Sequence, residues 1–557
     1  MASSKTIAVL DVNELKDGQI KEVDFDSGKV LLSNIGGKIH ATSAYCTHYG
    51  APLAKGVLVS SGRITCPWHG ACFNVCTGDI EDAPALAAIH SFKATVKDSK
   101  IYVTADPSLT TNQNKSRPPT NRSKGLSLSA TDPGVVIVGG GAGGLATVIG
   151  LRESGYPGKI TVLSAEPHAP IDRTKLSKAL LTDASKLEWY SAQTLVETFD
   201  VNLRTSTTVT AVDVAGKKVF VGSEAVLYEY LVLGPGGIPR RLPVPGADSP
   251  NVYTLRSVDD AKRISDAIGR PSILPGKVAN VLPGGKNLVI IGSSFIGMEL
   301  VVAVKDRGLA SISVIGMTKF PFEAVLGDKI GEGFRKFHEG NGVKFYGESK
   351  VTAIDEKSVS FESNEGKKTT IPADVVILAV GVGPATQFLK GSGIETQRDG
   401  GIIVDEYLRV KGVEKVFAIG DVAIFKEPTT GEQARIEHWD VAQNHGRCAA
   451  SVIAGKPLPF DKTPYFWSAQ GQQLRYAGYG HGYDDIVIRG DPAALKFQAY
   501  YTKGDKVIAV STMQADPLVS KASELFRLNK FPSVSEIRAG KDPLEIDISS
   551  SAVDVRH

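Results

Sequence analysis

Up to about residue 106 the apolar positions come in short runs, such as Val30-Leu31-Leu32 and Ile101-Tyr102-Val103, separated by turns that contain glycine. Short runs between such turns predict β-strands, and together they predict a small all-β domain over 1–106. The apolar pattern then stops. Residues 110–124 read Thr-Thr-Asn-Gln-Asn-Lys-Ser-Arg-Pro-Pro-Thr-Asn-Arg-Ser-Lys. A polar, basic, proline-containing stretch of this kind buries no core, so 107–131 is expected to be a flexible linker that tethers two folded parts. Beyond it, β-branched strands alternate with helical segments, the texture of α/β domains. The apolar run 135–151 is broken by glycines and reads as strand, turn and helix rather than as a membrane span.

Two of these strands run into glycine-rich turns. Val135-Val136-Ile137-Val138 leads to Gly139-Gly140-Gly141-Ala142-Gly143-Gly144, in which Gly139, Gly141 and Gly144 complete G-x-G-x-x-G. The first glycine allows a tight turn, the second lets a pyrophosphate approach the backbone, and the third lets helix and strand pack closely. The next strand, 159–163, ends near Glu166, where a carboxylate can bond adenosine ribose hydroxyls. About 150 residues later, Asn287 to Ile291 leads to Gly292-Ser293-Ser294-Phe295-Ile296-Gly297, with Ser294 in place of the middle glycine. The strand after it, 312–315, ends at Gly316-Met317 without an acid, and Lys319 is the nearby cation. NADH and NADPH therefore both remain open as coenzymes.

Composition narrows the classes. With 63 Lys and Arg against 60 Asp and Glu, the net charge of +3 implies neither a nucleic-acid partner nor an acidic membrane surface. At 557 residues the chain is long enough for several cores. Five cysteines, scarce and unpaired in pattern, fit a reducing compartment. The start, Met1 to Thr6, runs into a strand-like segment, so a cytoplasmic location is expected, with mitochondrial association left open.

The remaining chemistry lies in two loops. Cys46-Thr47-His48 and Cys66-Pro67-Trp68-His69 are separated by 17 residues, and each offers one thiolate and one imidazole. Structural zinc modules usually pair like ligands within a loop. A mixed pair in each loop suits a Rieske-type [2Fe–2S] centre, with two Cys on one iron and two His on the other. Glycines beside both loops let backbone N–H groups reach the sulfurs. Cys72 and Cys76 follow the second loop four residues apart, and read as small buried residues of a strand and turn or, alternatively, as redox-active thiols.

With Phe73, Thr77-Gly78 and Pro84, residues 1–106 resemble the Rieske ferredoxin domain. The extra loop cysteines of high-potential respiratory members are replaced by Ala51 and Trp68, which implies a lower-potential centre. From about Pro133 onward the chain resembles the FAD-dependent pyridine nucleotide oxidoreductases, in the branch of apoptosis-inducing factors and ferredoxin reductases. The resemblance is carried by Arg173-Thr174-Lys175-Leu176-Ser177-Lys178, by Val416-Phe417-Ala418-Ile419-Gly420-Asp421, by Glu437-His438-Trp439 and by Pro464-Tyr465-Phe466-Trp467-Ser468. Leu231-Val232-Leu233-Gly234-Pro235-Gly236 departs from the family's A-T-G. With the Rieske part in front, the whole is similar to the Rieske-bearing, apoptosis-inducing-factor-3-like group.

The resemblance implies FAD-binding parts at 132–256 and 389–456, an NAD(P)-binding domain at 257–388, and a C-terminal α+β interface domain at 457–557. It implies Lys178 beside the flavin, paired with Glu299, and Glu437, His438, Trp439 and Trp467 framing the rings. Arg173, Val209, Gly381 and Asp421 are further expected cofactor contacts. Residues 145–200 contain no cysteine, so a cysteine acceptor beside the flavin is not expected. The expected activity is electron flow from NADH or NADPH through FAD to the cluster and on to an unidentified acceptor. A slow, NADH-sensing signalling protein and the reductase arm of an oxygenase or nitrite-type system are the alternatives, and the C-terminal domain leaves room for a homodimer.

Overall fold

The structure is a computed structural model and describes residues 4–125, 132–269 and 285–550. The N-terminal part is all-β, as the short apolar runs require. A six-stranded antiparallel sheet runs in the order Lys5–Asp11, Lys100–Ala105, Ser91–Lys97, Lys38–Ser43, Gly28–Ile35, Ile20–Phe25. A smaller four-stranded sheet is built from Val57–Leu58, Arg63–Thr65, Cys72–Asn74 and Ile80–Asp82. Alternation sets the inward face: Ile101 and Val103 are fully buried and Tyr102 between them is not.

Two five-stranded parallel sheets follow. The first has the order Val201–Arg204, Ile160–Leu163, Val135–Val138, Tyr230–Leu233, Val416–Ala418. Its central strands are buried almost throughout, which is why they read as unbroken apolar runs. The helix Ala142–Glu153 packs on Trp439–Ile453, which the chain supplies after its excursion through the second sheet. The second sheet has the order Val252–Thr254, Val375–Leu378, Asn287–Ile291, Ser311–Ile315, Val343–Tyr346. Val252–Thr254 pairs with Val375–Leu378, so the chain joins this sheet slightly before residue 257.

The C-terminal part is α+β: a five-stranded antiparallel sheet over 465–513, then the helices Leu518–Arg527 and Val534–Arg538. Among the described residues no helix is long and apolar enough to cross a membrane.

The expected flexible linker is corrected in its described portion, 107–125. The carbonyl of Lys115 accepts from Ser43 Oγ, Arg117 N–H donates to Ala88 O, and the Arg117 guanidinium reaches Asp79. Farther on, Asn121 Nδ2 donates to Thr198 O and Arg122 N–H to Arg152 O. A polar stretch needs no core of its own when folded neighbours satisfy its backbone. Here it is a strap laid from the β-domain onto the first parallel-sheet unit, and residues 126–131 lie outside the described residues.

The β-domain is fixed more firmly by a buried charge network. Arg63 contacts Asp82, reaches Glu81 Oε2 at 3.1 Å, and donates from Nε to Glu524 Oε1 on Leu518–Arg527 at 2.7 Å. Lys462 Nζ lies 3.1 Å from Asp82, Thr65 Oγ1 donates to Glu524 Oε1 at 2.8 Å, and Ser520 Oγ donates to Cys66 O at 2.8 Å. Asn444 Oδ1 accepts from Ala83 N–H. Buried charges are tolerated only when paired this closely, so the network sets one orientation of the two parts.

Candidate redox centre

The two cluster loops have the same backbone shape. Cys46 N–H donates to Ala51 O and Gly50 N–H to Cys46 O; Cys66 N–H donates to Ala71 O and Gly70 N–H to Cys66 O. Gly50 (φ +79°) and Gly70 (φ +76°) take the left-handed turn each loop needs. The Nδ1 atoms of His48 and His69 lie 3.1 Å apart, and the Cys46 and Cys66 thiols hydrogen-bond each other. All four side chains are at most 6% exposed.

Among the described residues no three His, Cys, Asp or Glu converge on one point, as a single ion needs. The donors come instead as one cysteine pair and one histidine pair, the division a two-iron cluster makes. The residues fit the cluster in two further ways. Backbone N–H groups of His48 and Tyr49 point at the Cys46 sulfur, and those of Trp68 and His69 at Cys66. Burial drives the His48 pKa down to about 3 and that of His69 well down, which keeps the imidazoles neutral, the form that ligates metal.

Aromatic rings enclose this centre. The Trp467 ring centroid is 4.5 Å from His69 and 5.6 Å from His48. Tyr49 stacks on His48 at 3.8 Å and its hydroxyl donates to buried Asp172, while Trp189 lies 5.6 Å from His48. A Cβ on Gly70 would lie 2.7 Å from the Tyr465 ring, so the second loop rests directly on the C-terminal sheet.

Next to Trp467 on the same strand, Ser468 Oγ donates to Glu299 Oε1 at 2.6 Å. Glu299, 3% exposed, lies 3.1 Å from Lys178 Nζ and also accepts from Ser177 Oγ. The expected Lys178 and Glu299 therefore meet, across 121 residues of sequence. Sequence reasoning did not single out Ser177 and Ser468, although both stood inside quoted motifs; Tyr49, Asp172 and Trp189 had no comparable signal.

At the first nucleotide turn, a Cβ on Gly144 would lie 2.1 Å from Gly139 O, so helix and turn close only over glycine. The space beside Gly141 is open, the cradle a pyrophosphate fills, and Ala142 begins the helix. Arg173 grips Glu166 with two hydrogen bonds, 3.0 and 2.6 Å, and donates to Arg256 O. Arg256 in turn pairs with Asp421 at 3.0 Å. His438 Nδ1 and Trp439 Nε1 are buried without a partner, which leaves two polar atoms for a bound ring system to meet. Burial lowers the His438 pKa to about 4, so its ring is neutral.

Other expected contacts are less central. Glu437 is exposed and pairs with Arg435. Val209 puts its side chain into the core of the first unit. Gly381 (φ +88°) faces open space. At the second turn, a Cβ on Gly292 would lie 2.3 Å from Ala379 O and one on Gly297 2.5 Å from Gly292 O, and Ser294 caps the helix Phe295–Val304 without using its side chain.

Comparison with known proteins agrees with this layout. Residues 133–446 match the family model described as pyridine nucleotide-disulphide oxidoreductase, residues 5–93 the Rieske [2Fe–2S] domain, and residues 465–545 the reductase C-terminal domain. The chain is 38% identical over 525 residues to apoptosis-inducing factor 3 of Homo sapiens, covering 93% of this chain and 83% of that one. It is 29% identical to putidaredoxin reductase CamA of Pseudomonas putida, over 69% of this chain and 89% of the relative. The solved covalent putidaredoxin reductase–putidaredoxin complex superposes with a TM-score of 0.66 at 26% identity, over 75% of this chain and 97% of that one. The ferredoxin reductase of the CYP199A2 system from Rhodopseudomonas palustris gives 0.64 at 28%, over 76% and 99%. FAD, a nicotinamide coenzyme and a [2Fe–2S] cluster are the cofactors these domains imply. The chain belongs to the pyridine nucleotide-disulphide oxidoreductase family, as a ferredoxin-reductase-like flavoenzyme with a Rieske domain at its N-terminal end.

Proposed function

We propose that the protein passes electrons from a nicotinamide coenzyme to its own Rieske centre, which then serves an acceptor outside the chain. FAD, when bound, supplies the link between two-electron hydride transfer and one-electron release. The reading is carried by the strand Tyr465–Gln470. Successive side chains of a strand point to opposite faces, so Trp467 meets both candidate iron-ligating histidines while Ser468 holds Glu299 in the Lys178 pair.

In this reading Lys178 keeps a positive charge beside the place where negative charge develops, and Glu299 and Ser468 hold it in position. Trp467, Tyr49 and Trp189 exclude water from the histidine side of the cluster. The solved covalent complex holds a reductase with putidaredoxin; here an iron–sulfur domain is part of the same chain as the reductase domains, which favours intramolecular transfer.

Anaerobic stopped-flow mixing with NADH or NADPH tests the order. Flavin absorbance should bleach first, and the EPR signal of a reduced Rieske centre should then grow in samples frozen along the time course. Complete flavin reduction with the cluster left oxidised would overturn the proposal.

A further inference from the structure

The two nucleotide turns can be superposed by their hydrogen bonds alone. Gly139 N–H donates to Leu163 O at 2.9 Å, and Gly292 N–H to Ile315 O at 2.8 Å. Ser164 N–H to Arg204 O (2.9 Å) matches Gly316 N–H to Tyr346 O (3.0 Å). Thr207 N–H to Ser164 O (2.7 Å) matches Ser349 N–H to Gly316 O (3.0 Å). Finally, Ser206 N–H to Glu166 O (2.9 Å) matches Glu348 N–H to Thr318 O (3.1 Å), and both donors have φ near +50°. The pairs agree on one register for the second strand's end, with no gap between its positions: Leu163 on Ile315, Ser164 on Gly316, and Glu166 on Thr318.

That alignment shows what stands at the ribose position of the second site. The first site has a carboxylate there, Glu166. The second has Thr318, whose hydroxyl is already turned to Phe320 O at 2.8 Å. Its neighbours are Met317, 78% exposed, and Lys319, exposed with Nζ 5.2 Å over the Phe320 ring. Among the described residues no carboxylate lies within ion-pair distance of Lys319. The nearby acids are engaged: Glu323 accepts from Phe320 N–H at 2.9 Å, and Glu332 pairs with Lys336 at 2.8 Å. Glu348, on the next strand end in the place of Ser206, is an exposed acid at this corner.

A carboxylate at this position selects NAD by accepting from the ribose 2′-hydroxyl and repelling a 2′-phosphate, whereas a cation welcomes the phosphate. We propose that the second nucleotide site takes NADPH, with Lys319 as the cation that meets the 2′-phosphate and Thr318 as the residue whose neutrality admits it. The proposal rests on the reading of this site as the nicotinamide site and narrows the coenzyme it uses.

Two measurements test it. In steady-state reduction of ferricyanide by the holoenzyme, kcat/KM for NADPH should exceed that for NADH. Lys319→Ala should lower the NADPH value on the order of tenfold, through the loss of one charge-assisted contact, while leaving NADH within about twofold. Thr318→Glu should invert the preference. Independently of turnover, calorimetry should show adenosine 2′,5′-bisphosphate binding more tightly than AMP, with the difference removed by Lys319→Ala. A preference of tenfold or more for NADH, abolished by Glu348→Ala, would overturn the proposal by making Glu348 the reader of the ribose. Equal loss with both coenzymes in Lys319→Ala would overturn it as well. If neither coenzyme reduced the flavin while the bisphosphate still bound through Lys319, the function reading would fail and the ligand assignment would stand.

Discussion

Replacing Glu524 by alanine tests whether the iron–sulfur domain works from its docked position. The Glu524 side chain is 1% exposed, and Oε1 accepts from Arg63 Nε at 2.7 Å and Thr65 Oγ1 at 2.8 Å, while Oε2 accepts from Arg527 Nε at 2.8 Å. Without it, Arg63 keeps Asp82 and the more exposed Glu81, and Arg527 loses the carboxylate it pairs with. Removing one partner from a buried ion pair costs about 3–5 kcal/mol, because the other charge stays buried and uncompensated. At about 1.4 kcal/mol per tenfold, the undocked population rises by roughly 10²- to 10³-fold if most of that cost falls on the interface.

The expected outcome is unchanged flavin bleaching, cluster reduction slowed by at least about tenfold, faster proteolysis of the strap at 107–125, and an unaltered EPR line shape after dithionite reduction. Unchanged kinetics and proteolysis in a variant that folds and loads its cluster would refute the reasoning. The same network sets the pH dependence. Burial pushes Glu524 up, but Arg63 and Arg527 hold it below its ordinary value near 4.5, and Arg63 and Lys462 do the same for Asp82. A lowered carboxyl contributes stability above its ordinary value and loses it as pH falls through the lowered one, so docking should be flat from about pH 5 to 8 and fail only below about 4.5.

Three further outcomes are expected. Lys178→Met should slow flavin reduction by the coenzyme on the order of 10²-fold, with the cluster's EPR signal unchanged, as measured by single-turnover bleaching. Gly144→Ala drives a Cβ to 2.1 Å from Gly139 O, and the purified variant should carry the cluster's absorbance with little or no flavin, read from its visible spectrum. Trp467→Leu should leave flavin bleaching intact and slow the appearance of reduced cluster; equal slowing of both phases would show that Trp467 serves the flavin side instead.

Much of the candidate site is readable locally. Cys46, His48, Cys66 and His69 announce a mixed-ligand centre through spacing and type, because each loop has to bring one donor of each kind. The glycine turns at Gly139 and Gly292 are equally legible, since only residues without a Cβ close those strand-to-helix corners. The polar segment after Asp106 was legible in composition alone, and composition was misleading there: a strap bonded to its neighbours on both sides has the same residues as a free tether.

The sequence by itself determined the parts of this protein: an all-β module with two Cys–His loops, two glycine-rich strand-to-helix turns, and the lysine loop at Arg173 to Lys178. These are set by local backbone requirements and donor chemistry that a few adjacent residues express. Only the tertiary structure decided how the parts face one another. Glu299 meets Lys178 and Ser468, Arg63 meets Glu524, and Trp467 meets His69 across separations of 121 to 461 residues. Such contacts carry no local period or motif. They exist because buried charges and imidazoles have to find partners, and the chain supplies those partners from wherever its packed sheets and helices bring them.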